Sequence, residues 1–396
     1  MSLRFLTAGE SHGPALTVIL EGLPAGLSLD ASLVDPDLKR RQVGLGAGPR
    51  MKLEQDHAQI LAGVMEGKTT GAPLSMLIEN RDHAKWRGKA VAPFTIPRPG
   101  HADLNGAIKY GYADLRPALE RASARETAAR VAVGAVCKHL LAQFELHVGG
   151  YVSAIGTIMA DLGSTPLLER PSLAEESEVR CPDPAASEKM VRRIRQVMQE
   201  KDTLGGVIEV VAWGVPAGLG SFVQWDRRMD ARLGAAILSV QAVKGVEIGP
   251  AFENATLPGT QVQDGIYLKG DDLVRYGLRS GGLEGGVTTG QPIWLRAAMK
   301  PIATTLTPQN SVDLRRGEAV ETQYERSDFC PVPRAVPILE GMVAFVLAEA
   351  LLEKLGGDTL EELLLRFKAL RKPRLEDLHM APEGQEHIFW PEESDA

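Results

Sequence analysis

Short apolar runs and longer helical patterns mix along this chain without a regular β-α-β-α alternation, and that order limits the fold more than any other feature. Residues 16–20 and 73–78 are short apolar runs bounded by Gly or Pro, and read as strands. So do 207–213 and 291–297, which roughly alternate. Residues 124–144 read as a long Ala-rich helix, 229–243 as a small-residue helix, and 336–355 as the most apolar helix, stopped by Gly356 and Gly357. On another helical stretch Met190, Ile194, Val197 and Met198 form one face, and Arg192, Arg193 and Arg195 the other. This order disfavours a doubly wound parallel sheet, so an α+β fold is expected. No fixed-period repeat is visible. Residues 161–187, rich in Pro, Ser and Glu, read as a surface excursion rather than a domain linker. The acidic end, from about residue 380, reads as loose.

At 396 residues the chain can bury a large core, and 44% hydrophobic with 24% charged residues is a globular composition. Aromatics are only 5%, so the core is expected to be aliphatic and rich in Ala and Gly. A net charge of −7 without a long basic stripe argues against nucleic acid as a partner. Cys137, Cys181 and Cys330 are widely spaced, with neither a disulfide framework nor a zinc spacing. A reducing compartment and no metal follow as expectations. The start shows no basic segment followed by an apolar run, and no stretch is expected to approach the ~20 apolar residues of a membrane span. The expected place is the cytosol, with no membrane partner.

Five segments combine reactive side chains with Gly or Pro. In Gly9-Glu10-Ser11-His12-Gly13, a histidine near glycines has an accessible backbone and suits acid or base work. Taken alone, a structural turn fits this pentapeptide better. In Arg98-Pro-Gly-His-Ala-Asp103, Arg98 and His101 flank a rigid turn, and Asp103 is placed to orient the imidazole. Arg offers a fork for phosphate and His a proton for a departing phosphate oxygen, but an ordinary turn with a local salt bridge fits equally well. Arg40, Arg41, Arg50, Arg121 and Arg125 are candidates for an anion pocket in an acidic chain, although any one alone reads better as a surface residue. Arg121-Ala122-Ser123 precedes the long helix, a natural phosphate seat. In Arg279–Gly290, five of twelve residues are glycine, without a Walker A or dinucleotide pattern. That loop permits close approach to a flat ring or a phosphate, and composition slightly favours a plain surface loop. Lastly, Lys300, Thr304 and Thr305 offer charge and hydroxyls, and Arg326 and Asp328 share a face if extended. An Asp beside an Arg stays ionised and suits a base, or is simply half of an ion pair.

Together GESHG, RPGHAD, LERASARETAARVAVGA, DTLGG, QAVKGVEIG, GGLEGGVTTGQPI, AAMKPI and RSDFCPVPRAVPILEGMVA resemble the chorismate synthase family, in its order and at about its spacing. The resemblance runs over nearly the whole chain. It implies a single α+β domain over 1–396, with helices sandwiched between two antiparallel sheets, assembled as a homotetramer. It implies an anti-1,4-elimination of phosphate from 5-enolpyruvylshikimate 3-phosphate, redox-neutral overall yet needing reduced FMN. By similarity Ser11, Arg41, Arg50, Arg98, Arg121 and Arg326 hold the substrate. His101 protonates the leaving phosphate, His12 supplies a proton to the flavin N1 region, and Asp328 assists flavin N5 as a base. The matching FMN positions are Arg121, Ala122, Ser123, Gln241, Ala242, Gly285, Lys300, Pro301, Ile302, Ala303, Thr304 and Arg326.

Two departures stand out. Ala47 replaces an Arg usual in the family, so one substrate-anion contact is either supplied by a neighbour or lost with some affinity, and Ser280-Gly281 stand where Asn-type residues are common. Two other readings remain at this point. One is an oxidoreductase that reduces flavin with NADPH, for which no dinucleotide fingerprint exists. The other is a non-catalytic binder of phosphorylated metabolites or RNA, which charge and low aromatic content disfavour.

Overall fold

The computed structural model describes residues 3–47, 54–322 and 327–385. Strands β1 (Arg4–Ala8), β2 (Ala15–Glu21), β3 (Gln59–Ala62) and β4 (Leu74–Glu79) form an antiparallel sheet in the order β1-β2-β4-β3. Alternation sets which face is buried: Leu16, Val18 and Leu20, with Leu74, Met76 and Ile78, point into the core. Strands β5 (His147–Ile155), β6 (Ile158–Met159), β7 (Gly206–Trp213), β8 (Val243–Ile248) and β9 (Ile293–Met299) form a second antiparallel sheet in the order β8-β9-β7-β5-β6. The helices used below are α1 (Asp35–Gln42), α2 (Asp103–Tyr110), α3 (Arg116–Arg121), α4 (Thr127–Ala142), α5 (Arg170–Ala174), α6 (Pro184–Glu200), α7 (Met229–Leu238) and α8 (Val332–Leu355).

Helix α4 lies against β1 and β2, helix α8 against β5 and β7, and the two helices pack on each other. The result is helices sandwiched between two antiparallel sheets, an α+β fold as expected. Two glycines let the helices meet. A Cβ built on Gly134 of α4 would lie 2.2 Å from the Cα of Gly341 on α8, closer than any real contact. The core is aliphatic, as the composition predicts, and one contiguous cluster joins both sheets through these helices.

Helix α8 corrects the expectation that no stretch is apolar enough for a membrane span. Among the described residues it alone is long and apolar enough by length and composition, with a mean hydropathy of 2.0 over a window that is 89% buried inside the molecule. It is apolar on all sides because neighbours surround it on all sides. Among its charged residues Glu340 is the most deeply buried, only 1% exposed. Arg40 of α1 donates to it at 2.6 and 2.8 Å, Lys138 of α4 at 3.0 Å, and the Gly150 backbone N–H at 2.9 Å. Burial pushes this carboxyl up, but Lys138 and Arg40 outweigh it and hold it down at about 2. One buried charge thus ties α1, α4, α8 and β5 together.

Three local expectations shift. The 229–243 helix ends at Leu238, and Val243 already begins β8. The strand expected at 291–297 runs instead from Ile293 to Met299. The 161–187 excursion is not all surface: α5 packs on β5, burying Pro171 and Ala174, and Leu162 and Leu167 cover Tyr151 and Val211. On α6 the apolar face holds, with Met190, Ile194 and Val197 buried and Met198 at its exposed edge. The end of the chain from 386 lies outside the described residues.

Gly134→Ala is expected to destabilise the protein by about 1–3 kcal/mol or more, since overpacking here meets backbone rather than a movable side chain. A denaturant midpoint equal to wild type would contradict the close helix crossing. Glu340 is depressed on folding, so its stabilisation is full above the ordinary carboxyl pKa and lost as pH falls. Glu340→Gln is expected to lower stability at neutral pH and to flatten the acid limb between 4.5 and about 2, measured by pH-dependent unfolding.

Candidate functional site

The loop between β1 and β2 presents Ser11 and His12. Its tight entry requires Gly9, whose φ is 114° and where a Cβ would lie 2.4 Å from the Ala15 carbonyl oxygen. His12 is held by Glu120 of α3: Oε1 lies 2.7 Å from Nδ1, and Oε2 accepts the His12 backbone N–H at 2.7 Å. The Trp86 ring lies against the imidazole, with centroids 4.5 Å apart.

The Arg98–Asp103 turn builds a second histidine–carboxylate pair. His101 Nδ1 lies 2.6 Å from Asp103 Oδ1. The Arg98 guanidinium donates to both Asp103 oxygens, at 2.8 and 3.0 Å, and its Nη2 lies 3.0 Å from His101 Nδ1. Asp103 is fully buried. Burial pushes its carboxyl up, but His101 and Arg98 outweigh that and hold it well below the usual range. The sequence reading of Asp103 as the residue that orients His101 agrees with this geometry.

One helix pair joins the two dyads. Asp103 opens α2 and Glu120 lies on α3, and the two helices meet where Gly106 faces Ala118, at which a Cβ would be 2.6 Å away. Asp103 and Glu120 each stand within one helical turn, ~5.4 Å along the axis, of the residues that make that contact.

The remaining candidates gather at the start of α4 and along 300–304. Ser123 caps the short 3-10 turn before α4 and donates to Ser11 Oγ at 3.0 Å. Ala122 is the C-cap of α3. Arg121 donates to the Thr7 carbonyl at 3.0 Å and its hydroxyl at 2.9 Å. Arg41 reaches Thr127 at 2.9 Å, the Ala124 carbonyl at 2.9 Å and Asp56 at 3.3 Å. Burial, opposed by Asp56 and reinforced by Arg334 and Arg125, pulls this guanidinium down to about 9. Gln241 donates to Glu126 at 3.3 Å, and the Ala242 carbonyl accepts from the Lys300 backbone N–H at 2.9 Å.

Lys300 also reaches the Gly100 carbonyl at 3.2 Å, and Arg98 reaches Thr304 Oγ1 at 3.4 Å. Ile302 accepts from Thr203 at 3.0 Å, Ala303 lies beside Gly100, and Pro301 presses on Gly205. Ser327 donates to the Thr304 carbonyl at 3.2 Å, which brings its neighbour Asp328 to the same loop. Asp328 pairs with Arg334, whose Nε donates to the Arg41 carbonyl at 2.9 Å.

Some candidates do not join this group. Gly285 sits in a hairpin at the start of α7, where Gly286 accepts from the Met229 N–H at 2.8 Å. Gln241 and Ala242 follow the other end of α7, about 15 Å away along its axis. Arg40, grouped with the anion-binding arginines by sequence, is taken up by Glu340, Asp37 and Glu175. Arg50 and Arg326 lie outside the described residues, so the expected pairing of Arg326 with Asp328 is not described. Sequence reasoning did not single out Glu120, Asp56, Trp86, Glu126 or Arg334. Glu120 and Glu126 each stand close to a named arginine, but nothing in their spacing says which cation or histidine they meet.

A fold of helices between two antiparallel sheets, with paired histidine–carboxylate groups among buried arginines, suits an enzyme acting on an anionic substrate. The family model of chorismate synthase matches residues 3–352. A relative from Syntrophotalea carbinolica named chorismate synthase is 50% identical, over 93% of this chain and 97% of its own. One of that name from Desulforudis audaxviator is 52% identical, over 91% and 95%. A crystal structure of chorismate synthase matches with a TM-score of 0.77 at 45% identity, covering 93% of this chain and 97% of that one. The chain belongs to the chorismate synthase family.

Proposed function

We propose that the chain eliminates phosphate from 5-enolpyruvylshikimate 3-phosphate to give chorismate, with reduced FMN held in the same cluster. The observation that carries this reading is that His12 and His101 are each fixed by a carboxylate, Glu120 and Asp103, from two helices, α3 and α2, that pack on each other.

The residues present fit a flavin nucleotide. The buried Gln241 Oε1 has no hydrogen-bond partner among the described residues, an acceptor suited to a polar ring edge. Lys300, Thr304, Arg121 and Ser123 supply the charge and hydroxyls that a phosphate-bearing cofactor needs. When bound, the reduced flavin supplies the electron density that starts C–O cleavage.

The chain's own residues do the rest. Arg41, Arg98 and Arg121, with Ser11, hold the substrate's phosphate and carboxylates. Arg41 is itself buried, and its bonds to Thr127, Asp56 and the Ala124 carbonyl set the start of α4. His101 protonates the departing phosphate oxygen. His12 holds a proton for the cofactor's edge, and Asp328 serves as the base that assists removal of the C6 proton. We place the enzyme in the cytosol, as Cys137, Cys181 and Cys330 are all unpaired and buried. We read it as one domain and as a homotetramer by family likeness.

Incubated anaerobically with reduced FMN and the shikimate phosphate ester, the protein is expected to release chorismate and phosphate in equal amounts; no chorismate would reject the reading. His101→Ala is expected to lower turnover more than tenfold, because general acid help is commonly ~10²–10⁴-fold. Turnover equal to wild type would remove His101 from the chemistry.

A further inference from the structure

His12 is gripped by one carboxylate at two points. Glu120 takes the backbone N–H with Oε2 and the ring Nδ1 with Oε1, both at 2.7 Å. The first contact fixes where the side chain starts and the second fixes where the ring points. Trp86 lies along the ring, and His83 Nδ1 donates to the His12 carbonyl oxygen at 2.9 Å. The Glu120 side chain is 11% exposed and the imidazole 21%, so the pair is largely shielded from solvent.

An ionised carboxylate only accepts, so the proton between the two sits on Nδ1. Burial pushes the Glu120 carboxyl up, but the two His12 hydrogen bonds outweigh it and hold the group below its ordinary range. Glu120 therefore stays an anion at neutral pH and does not itself relay the proton.

We propose that Glu120 is a positioning residue for His12: it fixes the ring through Nδ1, so that Nε2 is the nitrogen that exchanges a proton with the bound ligand. This rests on the reading above, in which His12 holds a proton during turnover. His101 and Asp103 repeat the arrangement with the same ring nitrogen, although there Arg98 shares the carboxylate.

Among the described residues, other charged or titratable groups around the pair are Glu10 in the same loop, Arg116 on α3, and Asp82, His83 and Lys85 in the 81–85 turn. All of them remain in a Glu120 variant, so a change in kcat there reports on Glu120.

The test is kcat and KM of the full chain with reduced FMN under anaerobic conditions. Wild type, Glu120→Gln, His12→Asn and the double variant are compared. Glu120→Gln keeps the shape but offers one acceptor oxygen where the carboxylate offers two, so it no longer holds the backbone N–H and Nδ1 together. It is expected to leave KM within about twofold and to lower kcat about tenfold or more. In the double variant Glu120→Gln is expected to add nothing to the loss from His12→Asn. A folded Glu120→Gln protein with wild-type kcat overturns the proposal, as does a double variant in which the two losses multiply. If His12→Asn turns over like wild type, the role given to His12 fails; if it is slow while Glu120→Gln matches wild type, only the role of Glu120 fails. Should Glu120→Gln not fold, Glu120→Asp is expected to keep KM and lose turnover, and unchanged turnover there overturns the proposal.

Discussion

Two helices touch backbone to backbone where Gly134 meets Gly341, and that contact sets how the two helices between the sheets lie on each other. No side chain fits between the helices, so their separation is set by glycine and not by a packed side chain that another residue could replace. Helix α4 then runs from the first sheet, and α8 from the second, with their starts near one another. The turn before α4 carries Ser123 and Arg125, and the first turn of α8 carries Arg334. Glu340, next to Gly341, fixes the third partner. By holding Arg40 it pins α1 at the residue before Arg41, and Arg41 reaches across to Thr127 and Ala124. A buried charge of this kind is weak evidence for stability, since its desolvation is costly. Its value here is geometric: it holds four elements at one point.

The electrostatics of the site have two parts. Around the histidines, carboxylates and cations are matched, and the carboxyls of Asp103 and Glu120 are held low by hydrogen bonds that outweigh burial. Around Arg41 they are not matched. Arg125 and Arg334 crowd it, and Asp56 only partly offsets the burial of its charge. Matched pairs keep imidazoles in one orientation, which proton transfer needs. Arg41 is buried, and its bonds to Thr127, Asp56 and the Ala124 carbonyl hold the turn that carries Ser123.

Much of this was legible in residue order. The strands at 16–20, 73–78 and 207–213 follow from apolar runs closed by Gly or Pro, and the helix at 124–144 from its Ala-rich run. The pairing of His101 with Asp103 was legible because a Pro-Gly turn keeps residues two apart close together. The limits were equally physical. The small-residue pattern of 229–243 suits a helix throughout, yet Val243 pairs with Met299 and the sheet wins over the local preference. Residues 161–187 look like surface because their polar content is high, while a few apolar side chains among them are enough to cover one face of a sheet. The hydrophobicity of α8 was underestimated because Glu340 and two prolines interrupt a run that the fold surrounds completely.

The sequence by itself determined the types of side chain available, the local turns that bracket them, and the family to which the motifs belong. These are properties of neighbours along the chain, and backbone preference and residue chemistry act at that range. Only the tertiary structure decided which carboxylate holds which histidine, that Arg40 is spent on Glu340 while Arg41 is buried against the start of α4, and that Gly285 lies at the far end of α7 from Gln241. Glu120 and His12 are 108 residues apart, and Arg41 and Arg334 are 293 apart. Contacts across such separations depend on how two sheets and the helices between them stack, which no local pattern encodes.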